Sequence, residues 1–196
     1  MNFCVDAPPR PAADLNEIIP DFLYLGSRKA AADIAALRAN GIKYIINCSK
    51  DGRDGIPNFW EASGEFTYHR VPLLDLEVGQ ELRPHLDAAI ELLGAARSEP
   101  ARVFVHCHAG VSRSASVVIA YLMVEGGLPY SDAYARVKAL RNVKPNAAFA
   151  RELRGFQEEL GLGPAEVDAD TLAAEEREIA DCRMCLAIAV ELPTLM

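Results

Sequence analysis

One ten-residue segment, VHCHAGVSRS at residues 105–114, carries a thiol and a guanidinium six positions apart. The residues before it, 102–105, have the apolar character of a short buried strand, and residues 114–124 have that of an apolar helix. A tight loop between a strand and a helix directs successive backbone N–H groups into a small bowl that binds an anion. We therefore predict an anion-binding loop with the Cys107 thiol at its edge.

The side chains of this loop are of the types that phosphoryl transfer requires. Converging amide dipoles and a guanidinium favour the Cys107 thiolate, which is a nucleophile near neutral pH. The planar Arg113 can hold two phosphate oxygens and stabilise their charge during transfer. Ser114 can donate its hydroxyl to the Cys107 sulfur, and Gly110 permits a positive φ or a close backbone approach. The predicted phosphate-binding residues are His108, Ala109, Gly110, Val111, Ser112 and Arg113.

The order His-Cys-x-x-Gly-x-x-Arg-Ser, followed by Ala-Ser, resembles the cysteine-dependent protein phosphatases, and specifically their dual-specificity branch. The resemblance covers about residues 20–161, and it implies a small, atypical member without the N-terminal kinase-docking domain of the larger ones. Four further segments carry it: LYLGS at 23–27, IINC at 45–48, AYLM at 120–123 and PNAAF at 145–149.

The resemblance also implies roles for residues outside the loop. Asp75 matches the position of the family's general acid, which protonates the departing Tyr, Ser or Thr oxygen and later activates water. Glu77 and Glu81 are the alternatives, and an ordinary loop carboxylate remains open as the reading of Asp75. His106 and Asn146 are expected to support the loop.

The remaining pattern predicts an α/β fold. The resemblance implies a mostly parallel, twisted sheet of about five strands flanked by helices, with the phosphate-binding loop between a strand and a helix. That loop lies at the carboxyl ends of the strands. Strands are expected at 22–25, 42–48, 66–71 and 102–106, and helices at 81–97, 114–125, 131–141 and 147–160, with one more between Ser27 and Gly41.

Composition divides the chain into an N-terminal extension (1–19), a catalytic domain (20–161) and an acidic C-terminal extension (162–196) with a helix to about Glu191. The net charge of −8 lies in the two extensions, because residues 21–161 carry seventeen acidic and seventeen basic side chains. We expect the C-terminal segment to be an extra helix packed on the domain or a flexible tail. An alternative is that this negatively charged segment folds back onto the basic residues between positions 136 and 154 and limits substrate access.

Composition also limits the class of protein. The chain has 51% apolar and 24% charged residues, no run of membrane-spanning length and no signal-peptide pattern at its start. Five cysteines fit a reducing compartment, so we expect a cytoplasmic or nuclear protein. The absence of a broad cationic surface argues against nucleic acid. No cofactor or metal is expected, because the pair Cys182 and Cys185 lacks a second pair of ligands.

Together these features predict a protein phosphatase that hydrolyses phosphotyrosine and phosphoserine or phosphothreonine through a cysteinyl-phosphate intermediate. Its expected partners are phosphorylated proteins, protein kinases among them, and nothing in the sequence indicates an oligomeric state. Two alternatives stay open: a catalytically weak phosphoprotein-binding scaffold on the same fold, and a phosphatase for a non-protein substrate. A reversible disulfide between Cys48 and Cys107 is a further hypothesis.

Overall fold

The computed structural model describes residues 14–51, 55–75, 81–164 and 169–191. A five-stranded sheet lies at its centre, in the order β1-β2-β5-β3-β4. Strands β2, β5, β3 and β4 run parallel to one another, and β1 pairs antiparallel with β2. The predicted α/β class is therefore confirmed, with a mixed sheet. The strands are β1 Leu15–Ile19, β2 Leu23–Gly26, β3 Ile42–Asn47, β4 Thr67–Arg70 and β5 Arg102–His106.

Strand β1 is the strand that sequence reasoning missed, since its residues were assigned to the N-terminal extension. It forms a hairpin with β2 in which Ile19 pairs with Leu23, and the turn places Asp21 at φ 57°. The segment LNEII is too short to show a clear alternation of apolar and polar residues. Pairing with β2 and burial of its apolar side chains decide its conformation.

Seven α-helices complete the described fold. The single helix predicted between Ser27 and Gly41 is instead two short ones, because Asp33 leaves helical geometry at φ −91°, ψ 87°. Its side chain then caps the second helix by accepting from the Ala36 amide at 3.0 Å. The helices are α1 Arg28–Ala32, α2 Ile34–Ala39, α3 Arg83–Arg97, α4 Arg113–Gly126, α5 Tyr130–Leu140, α6 Ala147–Glu159 and α7 Ala169–Glu191.

Helix α4 is the central helix and carries the phosphate-binding loop at its start. All residues from Ser114 to Met123 are buried, which agrees with a stretch that has no charged side chain. One large core cluster joins α4 to α3, α5, α6 and one face of the sheet, and a smaller cluster around Phe104 covers the other face. Because α4 is packed on all sides, its first turn is a rigid support for the loop.

Helix α7 lies against α6, and its acidic residues meet two of the basic residues noted in the sequence. Glu175 forms an ion pair with Arg154 in which both side chains are at most 15% exposed. Glu178 lies 3.7 Å from Lys144 on the surface. The C-terminal helix thus both packs on the domain and contacts its basic side chains. None of the described helices is long and apolar enough to cross a membrane.

Candidate active site

The loop from Cys107 to Ser112 joins the end of β5 to the start of α4, at the edge of the sheet where the parallel strands end. The Cys107 side chain is buried at its base, and two groups donate hydrogen bonds to its sulfur: the Gly110 amide and the Ser114 hydroxyl, each at 3.2 Å. Both contacts favour a negative charge on the sulfur.

Gly110 has a geometric reason to lack a side chain. Its φ is +68°, and a Cβ added there would lie 2.4 Å from the Gly26 carbonyl oxygen. A side chain would therefore be strained by the backbone conformation and would clash with β2. The tight turn of the loop at this position therefore requires glycine.

Asp75 lies at the rim of the loop and is held by three residues. Its Oδ1 accepts hydrogen bonds from the Ser112 hydroxyl at 2.6 Å and from Asn146 Nδ2 at 3.2 Å. Its Oδ2 lies 3.4 Å from Arg113 Nε, an ion pair without hydrogen-bond alignment, since that buried nitrogen has no hydrogen-bond partner among the described residues. The fold thus brings the predicted acid next to the predicted phosphate-binding residues. Of the alternatives to it, Glu81 is exposed and Glu77 lies outside the described residues.

Asn146 connects the start of α6 to the loop. Its side-chain oxygen caps that helix by accepting from the Phe149 amide at 2.8 Å, while its backbone N–H donates to the Ser112 hydroxyl at 3.2 Å. Two residues earlier, the Lys144 amide donates to the Val111 carbonyl at 2.9 Å. The segment before α6 therefore contacts the loop from one side.

His106 lies beneath the loop and away from solvent. Its ring stacks on Phe104 at 5.3 Å between centroids, and Nδ1 lies 3.4 Å from the Cys107 carbonyl oxygen. Burial, with a smaller contribution from the nearby charge of Arg70, lowers the pKa of His106 to about 4. The ring is therefore neutral near pH 7 and contacts the loop backbone from inside the core.

Arg141 is the site residue that sequence reasoning did not single out. Its guanidinium donates to the carbonyl oxygens of Gly110 and Ala109, each at 2.8 Å, and is itself held by Asp14 and Asn16. In the sequence it is one of several basic residues near the end of α5 and has no distinguishing signal. Only the fold brings the start of β1 to this side of the loop.

The other residues of interest occupy distinct positions. His108 and Ala109 are exposed at the rim, whereas Val111 is half-buried.

Cys48 is fully buried at the end of β3, and burial, with a contribution from the neighbouring Cys107, raises the pKa of its thiol. Among the described residues, no group of three or more His, Cys, Asp or Glu side chains could hold a metal ion.

Comparison with known proteins agrees with this geometry. Residues 23–159 match the family model for the dual specificity phosphatase catalytic domain. The chain is 40% identical over 149 residues to the dual specificity protein phosphatase Mpk3 of Drosophila melanogaster, covering 76% of this chain and 35% of that protein. It is 41% identical over 147 residues to human dual specificity protein phosphatase 7, covering 74% of this chain and 34% of that protein.

The chain thus spans about a third of the length of these curated relatives. It also resembles the crystal structure of human DUSP28, with 30% identity and a TM-score of 0.64, covering 79% of this chain and 99% of that one. The chain belongs to the dual-specificity phosphatase family.

Proposed function

We propose that this chain hydrolyses phosphotyrosine and phosphoserine or phosphothreonine in proteins, through a phosphate ester of Cys107. The observation that carries the proposal is the environment of the Cys107 sulfur. Two donors point at it, and the guanidinium-bearing Arg113 begins the helix that follows the loop. A buried thiol with such neighbours is suited to nucleophilic attack rather than to packing alone.

In the first half-reaction the Cys107 thiolate attacks phosphorus, and the bond from phosphorus to the substrate oxygen breaks. Asp75 gives its proton to that departing oxygen, which leaves as the alcohol or phenol. The backbone N–H groups of residues 108–113 and the Arg113 guanidinium hold the non-bridging phosphate oxygens. In the second half-reaction water attacks phosphorus, Asp75 takes a proton from that water, and the thiolate leaves with the Ser114 hydroxyl donating to it.

The contacts of Asp75 support its place in this sequence of steps. Ser112 and Asn146 hold its carboxylate at the rim, where a substrate oxygen would leave the bowl. Because Ser112 belongs to the loop, the acid and the phosphate-binding residues form one connected unit. These contacts position the carboxylate relative to the loop before a substrate binds.

The proposed substrate class follows from the loop interior, HAGVS, which has no lysine. Members of the wider superfamily that act on polyanionic inositol lipids tend to have lysines there, so this loop suits a singly phosphorylated side chain. Protein kinases are among the candidate substrates. The two cysteines whose side chains the structure describes, Cys48 and Cys107, are free thiols, which supports a cytoplasmic or nuclear location.

The test is turnover of matched phosphotyrosine and phosphothreonine peptides by four proteins: wild type, Cys107→Ser, Asp75→Asn and Cys48→Ser. We expect activity on both peptides, loss of it in Cys107→Ser, and retention in Cys48→Ser as the control for removing a buried thiol. Asp75→Asn should slow peptide turnover by about 10²–10⁴-fold. Its loss should be much smaller with p-nitrophenyl phosphate, whose leaving group needs little protonation.

Peptide binding without turnover by the wild-type protein would contradict the proposal and favour the scaffold. Turnover of phosphorylated lipids, glycans or RNA 5′ ends in preference to both peptides would instead point to a non-protein substrate. If Asp75→Asn slowed the turnover of peptide and of p-nitrophenyl phosphate by the same factor, Asp75 would not be the general acid.

A further inference from the structure

A cleft of about 490 Å³ opens beside the phosphate loop, on the side of β2 and α1. Its volume falls within the range of about 300–1,000 Å³ that is common for ligand sites. Two of its residues, His108 and Ala109, belong to the loop itself, so a substrate whose phosphate occupies the bowl lies next to this cleft. The described residues that line it are Asp14, Ser27, Arg28, Lys29, His108 and Ala109.

Most polar groups of the cleft already have partners. Asp14 pairs with Arg141 and accepts a hydrogen bond from Ser27. The Ser27 hydroxyl also accepts from the Lys29 amide, and the Ala109 carbonyl is bound by Arg141. Asp14 is the single carboxylate among the described lining residues, and it therefore bonds to Arg141 and Ser27 rather than to Arg28 or Lys29.

Arg28 and Lys29 are different, because both side chains are exposed and neither forms an ion pair with any described residue. Their backbone positions are fixed: the Arg28 amide donates to the His108 carbonyl at 3.1 Å, and the Lys29 amide donates to the Ser27 hydroxyl. Two unpaired positive charges are thus attached directly to the wall of the phosphate loop. Such charges attract a carboxylate, at the cost of ordering two long exposed side chains.

We infer that this cleft is a specificity subsite that binds an acidic side chain of the substrate, next to the phosphorylated residue, through Arg28 and Lys29. The inference rests on the proposed function for the orientation of the peptide. A catalytic domain with equal numbers of acidic and basic side chains would then favour acidic sequences, because the preference depends on two local cations and not on net charge.

The experiment measures peptide binding in the full-length Cys107→Ser protein, so that it does not depend on turnover. Phosphotyrosine peptides carry Glu, or its neutral counterpart Gln, at one position at a time on either side of the phosphotyrosine. We expect the Glu peptide to bind about two- to tenfold more tightly at one position, as for a few exposed ion pairs. The preference should fall between about 20 mM and 0.5 M salt, because exposed charges are screened.

In the Arg28→Ala/Lys29→Ala variant, the ratio between Glu and Gln peptides should fall to about one, while binding of the Gln peptide stays unchanged. The matched control is Arg38→Ala/Lys43→Ala, which removes one arginine and one lysine charge from exposed sites near the start of β3, at the amino ends of the parallel strands and away from the phosphate loop. It should keep the wild-type ratio.

Equal binding of Glu and Gln peptides at every position, or equal loss of the preference in both double variants, would overturn the inference. Failure of every phosphopeptide to bind would overturn it as well. If the wild-type protein hydrolyses no phosphopeptide, yet the Cys107→Ser protein shows a Glu preference that requires Arg28 and Lys29, the proposed function fails and the subsite stands.

Discussion

Replacing Arg141 with methionine should loosen the phosphate loop without touching a reacting atom. The guanidinium makes five hydrogen bonds, two to the loop carbonyls of Ala109 and Gly110 and three to Asp14 and Asn16. Methionine keeps much of the side-chain length but supplies no donor and no charge. The substitution therefore removes the hydrogen bonds that link the start of β1 to the loop through this side chain.

The magnitude follows from the burial of the two partners. The Arg141 side chain is 10% exposed, but that of Asp14 is 32% exposed and can regain water once its partner is gone. Breaking a fully buried ion pair costs about 3–5 kcal/mol, so we place the loss of unfolding free energy near the lower end, at about 3 kcal/mol. For a chain of this length, that corresponds to a fall in Tm of roughly 6–12 °C.

Urea unfolding and calorimetry of the variant would measure this loss, with Arg136→Met as the matched control. Arg136 is an exposed residue of α5, so the same chemical change there should alter stability by no more than about 0.5 kcal/mol. Arg141→Lys keeps the charge but not the planar five-donor group, and should fall between wild type and methionine. The kcat/KM for a phosphopeptide should fall with Arg141→Met and not with Arg136→Met.

Stability within 1 kcal/mol of wild type for Arg141→Met would refute the reasoning. A cycle with Asp14→Asn tests the pair directly, because contacting residues should show a coupling free energy of about 0.5–3 kcal/mol. Additive effects of the two substitutions would mean that the contact between Arg141 and Asp14 contributes nothing to the free energy of unfolding.

Three further predictions concern the sulfur and its surroundings. Ser114→Ala removes a hydrogen bond to an ionised Cys107 sulfur, worth about 1.5–3 kcal/mol, and should slow breakdown of the cysteinyl phosphate by roughly 10- to 150-fold. Rapid-mixing experiments should show that intermediate accumulating, and an unchanged kcat would exclude the role. The lowered pKa of His106 means that the unfolded chain binds more protons between about pH 6.5 and 4, so its contribution to stability is complete above pH 6.5 and is lost as the pH falls through this window. His106→Phe should flatten that part of the stability profile by up to about 3 kcal/mol, and a slope identical to wild type would contradict it. If the sulfenic acid of peroxide-treated Cys107 condenses with the Cys48 thiol, releasing water, then Cys48→Ser should recover less activity than wild type on reduction. Equal recovery would rule out the disulfide.

Most of the candidate site could be predicted because its chemistry is local. Cys107, Gly110, Arg113 and Ser114 lie within eight consecutive residues, and a strand-loop-helix segment brings such neighbours together without help from the rest of the chain. The apolar, uncharged stretch that follows likewise predicted a buried helix, and α4 is buried throughout its first ten residues after Arg113.

Other parts of the fold have no local signal. Strand β1 is too short for a periodic pattern, and its conformation depends on pairing with β2. The break at Asp33 was missed because an acidic residue can continue a helix or cap the next one, and propensity alone does not distinguish the two. In both cases tertiary packing decides between local alternatives of similar free energy.

The sequence by itself determined the candidate nucleophile, the loop between β5 and α4 that carries it, the α/β class and the approximate positions of the helices. It did so because each depends on residue type and spacing over a few consecutive turns. Tertiary structure decided what surrounds the loop: Asp75 beside Asn146 across 71 positions, and Arg141 beside Asp14 across 127. It also decided that Arg28 and Lys29 face a cleft at the loop's edge. Contacts at such separations depend on how the sheet and helices pack, and that packing is a property of the whole core.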